Sequence, residues 1–135
     1  MRNDKENIIV DKTIDFSLAI VKYCEVLEHD KKYVIARQLL RSATSIGANV
    51  FEAQNAESKA DFIHKMKIAA KESSETLYWL ILCERSSTYH FDKKLKDNLD
   101  EIIKILSKII HHQKAKYPVL CGAFYGHFQI FKFSN

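Results

Sequence analysis

The sequence predicts an all-α protein, an up-down-up-down four-helix bundle followed by a short non-helical C-terminal tail. Three observations carry that prediction. Punctuation is sparse: of three glycines and one proline, only Gly47 precedes Pro118, which favours long helices over many short strands. Four segments, about 13–29, 32–54, 58–86 and 93–115, repeat apolar residues at intervals of three and four. The links between them are short and polar, so consecutive helices fold back antiparallel.

In the first segment Phe16, Ile20, Tyr23 and Leu27 form one stripe, with Asp15, Lys22 and Glu25 on other faces, and Thr13 as the expected cap. His29 to Lys32 is a polar link in which Asp30 is placed to cap the second helix. There Ile35, Leu39, Ser42, Ile46, Asn49 or Val50, and Ala53 keep one stripe. Ser58-Lys59-Ala60-Asp61 matches a capping box at the start of the third helix. Phe62, Met66, Ala69, Ser73, Leu77 and Leu80 form that helix's stripe. Asp92 is the expected cap of the fourth, whose core positions are Leu95, Leu99, Ile102, Leu106 and Ile109. Ile103 and Ile110 add a second apolar flank, broader than a single seam needs, and mark a candidate subunit interface. Residues 1–116 form the bundle and 117–135 an aromatic tail. Five aromatic residues between Phe124 and Phe133 make that tail too apolar to stay solvated, so it is expected to dock on the bundle or on a partner.

Gly47 lies in RSATSIGANVFEA, residues 41–53, where small side chains interrupt an otherwise regular helix. A phosphate loop needs a preceding strand, further glycines and a following Gly-Lys-Ser/Thr, all missing here. Glycine inside a helix costs about 1 kcal/mol against alanine, so a close helix–helix contact is the expected reason for it. With a hairpin turning near 55–57, positions summing to about 112 face each other. Ser42 and Ser45 then oppose residues 67–70, Asn49 lies near Ile63, and Gly47 and Ala48 extend the low surface. Arg41 comes beside Glu72 and Glu75, a predicted ion pair.

The stretch QLLRSATSIGANVFEAQNAESKADFIHKMKIAAKESSETLYWLIL, residues 38–82, closely resembles the four-helix-bundle family encoded in intervening sequences of large-subunit ribosomal RNA genes. That family is related to the accessory variability proteins of diversity-generating retroelements. RSATSIGANV, SKADFIHKM and KESSETLYWL carry the likeness, through Arg41, Ser45, Gly47, Asn49, Ser58, Asp61, Phe62, Glu72, Glu75, Tyr78 and Trp79. The resemblance implies a left-handed bundle, ring-like homopentamers, no enzymatic activity, and a basic surface that binds RNA, DNA or a reverse-transcriptase-like partner. Two positions depart from the family pattern: Ala43 stands where glycine is frequent, and Phe51 where an acid is frequent. Phe51 is therefore a further candidate for a subunit contact. The tail lies outside the pattern.

Catalytic and metal chemistry find little support. His64 is two to three turns from Ser73 and Ser74, too far for a nucleophile and its base. Glu72 and Glu75 share a face, but Arg41 supplies a structural reason for them. Cys24, Cys83 and Cys121 are far apart in sequence and are expected to be buried thiols. His111 and His112 point about 100° apart on a helix and do not chelate together. No cofactor is expected. No apolar run approaches the ~20 residues of a membrane span, the N-terminus is polar, and the expected location is the cytoplasm.

Charge is uneven. Net charge is +4, and residues 92–116 hold seven lysines against four acids, while the chain before them is neutral. Lys93, Lys94, Lys96, Lys104, Lys108, Lys114 and Lys116 therefore form the candidate nucleic-acid surface, which oligomerisation would multiply. The competing expectation is a protein-interaction adaptor whose lysines only solubilise the helix.

Overall fold

The computed structural model describes residues 7–116, and the predicted docking of the tail lies outside them. Four helices follow one another: α1 Ile8–His29, α2 Tyr33–Ala53, α3 Lys59–Arg85 and α4 Lys93–Lys116. No strand occurs among the described residues. Each helix packs on its neighbours in sequence and α4 closes against α1, with the α2–α3 interface the most extensive and α1–α4 the least. The core between them is built from Phe16, Ile20, Leu27, Leu39, Ile46, Met66, Leu80, Leu99, Ile102 and Leu106, all fully buried.

Helix α1 starts five residues earlier than predicted. Thr13 is not its cap but a buried residue, its hydroxyl bonded to the Ile9 and Val10 carbonyls at 2.8 and 2.9 Å. Ile9 extends the Phe16–Ile20 stripe backwards, and this apolar phase outweighs a capping preference at Thr13. Asp30 likewise caps nothing at the start of α2. It ends α1, where Lys32 N–H donates to Leu27 O at 2.8 Å and Lys31 N–H to Glu28 O at 2.9 Å. That pair of bonds is a Schellman ending, with Lys31 in its left-handed position at φ 61°.

Ser58 caps α3, accepting from Asp61 N–H at 3.1 Å, while the Asp61 carboxylate takes Glu57 N–H rather than that of Ser58. Asp92 accepts from Lys94 N–H at 2.9 Å at the start of α4. Within α3 the buried positions include Ile63, Ser73 and Thr76, whereas Phe62 and Leu77 pack on the core's edge. Thr76 escaped the apolar pattern because its hydroxyl is satisfied internally, by the Glu72 carbonyl at 2.8 Å and by Ser42 at 3.0 Å.

The α2–α3 register is displaced from the expected one by about one and a half turns. Ser42 meets Thr76 rather than residues 67–70, and Lys65 reaches Glu52 at 3.3 Å. Residues 54–56 continue the chain of α2 with bonds to carbonyls three residues back, which moves the reversal towards Glu57 and Ser58. Gly47 does serve a close helix contact, but with α1. A methyl placed on it would lie 3.4 Å from Ser17 Oγ and from Cβ and the carbonyl oxygen of Thr13.

The α3–α4 link is held to α1 by aromatic residues. Tyr23 donates to the His90 carbonyl at 2.6 Å and meets the Phe91 ring edge-on at 6.3 Å. Lys32 sits 5.0 Å over the Tyr89 ring. Burial raises the pKa values of Tyr23 and Cys83, and it pushes the Cys24 thiol up to about 12.

Candidate nucleic-acid interface

Helix α4 divides into two halves of different charge. Its first half mixes Lys93, Lys94 and Lys96 with Asp97, Asp100 and Glu101, whereas residues 102–116 contain no acid at all. Lys104, Lys108 and Lys116 are exposed on that second half, with His111 and His112 beside them, and Lys114 is partly buried. Lys96 differs from the rest: it is held by Glu84 of α3 at 2.6 Å, so it fastens α4 to α3 inside the bundle. Glu101 pairs with Lys12 of α1 at 2.6 Å, and this contact lowers the pKa of its carboxyl.

The sequence pattern did not single out a second contributor on α3. Residues 62–71 include His64, Lys65, Lys67 and Lys71 and again no acid. The Lys96–Glu84 contact fixes the register of the antiparallel α3–α4 pair. Carried along the pair, it sets residues 62–71 against the last turns of α4, from about residue 109, so the two acid-free stretches meet at that end of the bundle, while Lys104 and Lys108 lie level with residues 72–76. Lys65 is turned towards Glu52, but Lys67, Lys104 and Lys108 form no salt bridge with any described residue. Lys71 is exposed and acts on Glu75 only at longer range. The signal for this patch was the absence of acids over two windows, which a count of lysines on one helix does not register.

The acids of α3 are meanwhile occupied. Arg41 of α2 is hydrogen-bonded to Glu75 and lies 3.5 Å from Glu72, as the sequence predicted. Glu75 also accepts from the Trp79 indole at 3.2 Å. Arg41 and then Trp79 hold the Glu75 carboxyl below the usual carboxylate range. Trp79 is half-buried against the core, and Tyr78 stands outward, 56% exposed, its ring edge-on to Trp79 at 5.2 Å. Ser45 and Asn49 pair with each other on α2, Asn49 Nδ2 donating to the Ser45 carbonyl at 2.8 Å.

Ile103 and Ile110 pack partly against the core of their own chain and remain partly exposed. Larger exposed apolar residues lie on α1, where Ile14, Leu18 and Val21 form one stripe, with Leu18 58% exposed. Phe51, 47% exposed, stands one turn beyond Gly47 on the α1-facing edge of α2, and Tyr33 lies on the same edge. Position 43, the other departure from the family pattern, is a fully buried alanine.

Residues 5–110 match the family described as 23S rRNA-intervening sequence protein. The chain belongs to that family. The match takes in α1 and most of α4, well beyond the blocks of α2 and α3 that carried the resemblance. A solved structure is similar over most of its length: a protein of unknown function from the S23 ribosomal protein family of Bacteroides thetaiotaomicron. It is 42% identical with a TM-score of 0.72, over 76% of this chain and 97% of that one. No curated protein matches the chain. Among the described residues no group of three or more His, Cys, Asp or Glu side chains could hold a metal ion. No described helix is long and apolar enough to cross a membrane.

Proposed function

We propose that this intervening-sequence family member is a non-enzymatic, homo-oligomeric helical scaffold that binds nucleic acid through the basic face of α3 and α4. The observation that carries this reading is two acid-free stretches, 62–71 and 102–116, on adjacent helices, which meet over the last turns of α4. Exposed lysines such as Lys104 and Lys108 can reach phosphates, and they position a backbone without reading base sequence. Belonging to a family named for ribosomal RNA genes supports RNA as the first ligand to test.

Oligomerisation is proposed to use the α1–α2 edge, with Leu18 and Phe51 at its centre, and to repeat the basic face around a ring. Five subunits is the number that the resemblance implies. Such a scaffold needs no catalytic group. Glu72 and Glu75 are tied to Arg41, and burial keeps Cys24 as a protonated thiol. Its expected place is the cytoplasm.

Fluorescence anisotropy of a labelled RNA hairpin with wild-type protein and with the Lys104→Glu, Lys108→Glu double variant tests the binding. Saturable binding by the wild type, weakened at least tenfold in the variant, is expected. Equal binding by both proteins would remove α4 from the site. The adaptor reading gains only if neither binds and a protein partner requires the exposed α1 stripe.

A further inference from the structure

We infer that Tyr78 is a base-stacking platform and that the preferred ligand carries unpaired bases, as in single strands and RNA loops, rather than a continuous duplex. The inference rests on the nucleic-acid reading of the α3–α4 face and specifies which nucleic acid that face takes.

Tyr78 follows Lys71 by seven positions and Lys67 by eleven. At about 100° per residue both spacings return to within about 20° of one line, so the ring and the two lysines share the outer face of α3. Between them stands Ser74, exposed and small, its hydroxyl turned back to the Ala70 carbonyl at 3.3 Å. The face is thus a low track with positive charge at one end and an aromatic ring at the other. The Lys96–Glu84 register brings Tyr78 level with Ile102 and therefore beside the turn that carries Lys104.

A solvated tyrosine on a helix surface is ordinarily free to swing between rotamers, but this one is braced. Arg41 fixes Glu75, Glu75 fixes the Trp79 indole, and Trp79 meets the Tyr78 ring edge-on at 5.2 Å and 67°. Both ion-paired acids on this part of α3 are drawn towards α2, away from the track. A braced aromatic ring beside lysines is the arrangement that binds single strands: lysines follow the backbone while bases stack on the ring. In a duplex the bases already stack on one another and present no free face. A flat ring then gains nothing from them.

The test measures affinity for a mixed-sequence single-stranded RNA and for the same sequence as a duplex, using wild type, Tyr78→Ala, Tyr78→Phe and Lys104→Glu/Lys108→Glu. Native mass is recorded for each variant. Tyr78→Ala is expected to weaken single-strand binding about fivefold or more, with less than a twofold effect on the duplex and no change in native mass. Tyr78→Phe should retain wild-type affinity. An equal effect on both ligands, or none on either, would overturn the stacking role. So would a fall in native mass accompanying the weaker binding, because Tyr78 would then be a subunit contact. If the lysine variant loses binding while Tyr78→Ala does not, the basic face stands and stacking falls. If wild type binds neither ligand, the basic face falls as well.

Discussion

Ser42 Oγ and Thr76 Oγ1 lie 3.0 Å apart in the middle of the α2–α3 interface, with both residues fully buried. Thr76 donates to Ser42, whose own proton reaches the Leu39 carbonyl at 3.3 Å. A hydroxyl pair of this size lets two helices approach more closely than two leucines would. Ser42→Ala removes the acceptor but leaves Thr76 its bond to the Glu72 carbonyl, so a loss of about 1 kcal/mol is expected. Ser42→Leu overfills the interface and should cost about 1–3 kcal/mol or more. Urea denaturation of both variants checks the order; a leucine variant as stable as wild type would show that the helices are loosely packed there.

Gly47 gives a different expectation. Its backbone is helical, and the space towards α1 just accepts a methyl group at 3.4 Å from Thr13 and Ser17. Gly47→Ala should therefore gain part of the ~1 kcal/mol of helix propensity, raising the melting temperature. Gly47→Leu cannot fit without moving α1 and should lower it. Thermal melts that place alanine below glycine would mean that α1 and α2 lie too close for even a methyl group.

Lys31 holds a left-handed backbone conformation at φ 61° in the Schellman turn after α1. Glycine is the residue that adopts this conformation without a Cβ penalty. Lys31→Gly is expected to stabilise the protein by about 0.5–1 kcal/mol. A stabilisation of zero or below would point to a role for the lysine side chain at this link.

Stability should also fall at acid pH through Arg41 and Glu75. The folded-state pKa of Glu75 is lowered, first by the Arg41 hydrogen bond and then by Trp79. At low pH the unfolded chain therefore binds the proton more readily, and the contribution is present above the ordinary glutamate value of about 4.3. It is lost as pH drops through the lowered folded value. Glu101, lowered by Lys12, acts in the same direction. Arg41→Met should flatten the fall in denaturation midpoint between about pH 5 and pH 3. Parallel curves for the two proteins would contradict the coupling.

The sequence made the four helices legible because apolar spacing is a strong signal over twenty residues. It also revealed the Arg41 pair, because the long arginine side chain reaches one of two acids, a turn apart, across a range of registers. Boundaries followed less well. Thr13 and Asp30 are good capping residues whose neighbours Ile9 and Leu27 impose other roles. The site was only half visible: the α4 lysines are evident from composition, but the alignment of 62–71 with the last turns of α4 depends on the α3–α4 register, which Lys96–Glu84 reveals only in three dimensions. The exposed α1 stripe was hidden for a related reason. Ile14, Leu18 and Val21 look like a core flank until the real core is seen on the opposite side of α1.

The most direct measurement is the salt dependence of RNA binding by wild type and by the Lys104→Glu, Lys108→Glu variant. Log affinity should fall linearly with log salt, and the variant's slope should be shallower by about 0.7–0.9 for each phosphate that it no longer neutralises. Binding that ignores salt, or two proteins with the same slope, would contradict a phosphate-binding face on α3 and α4.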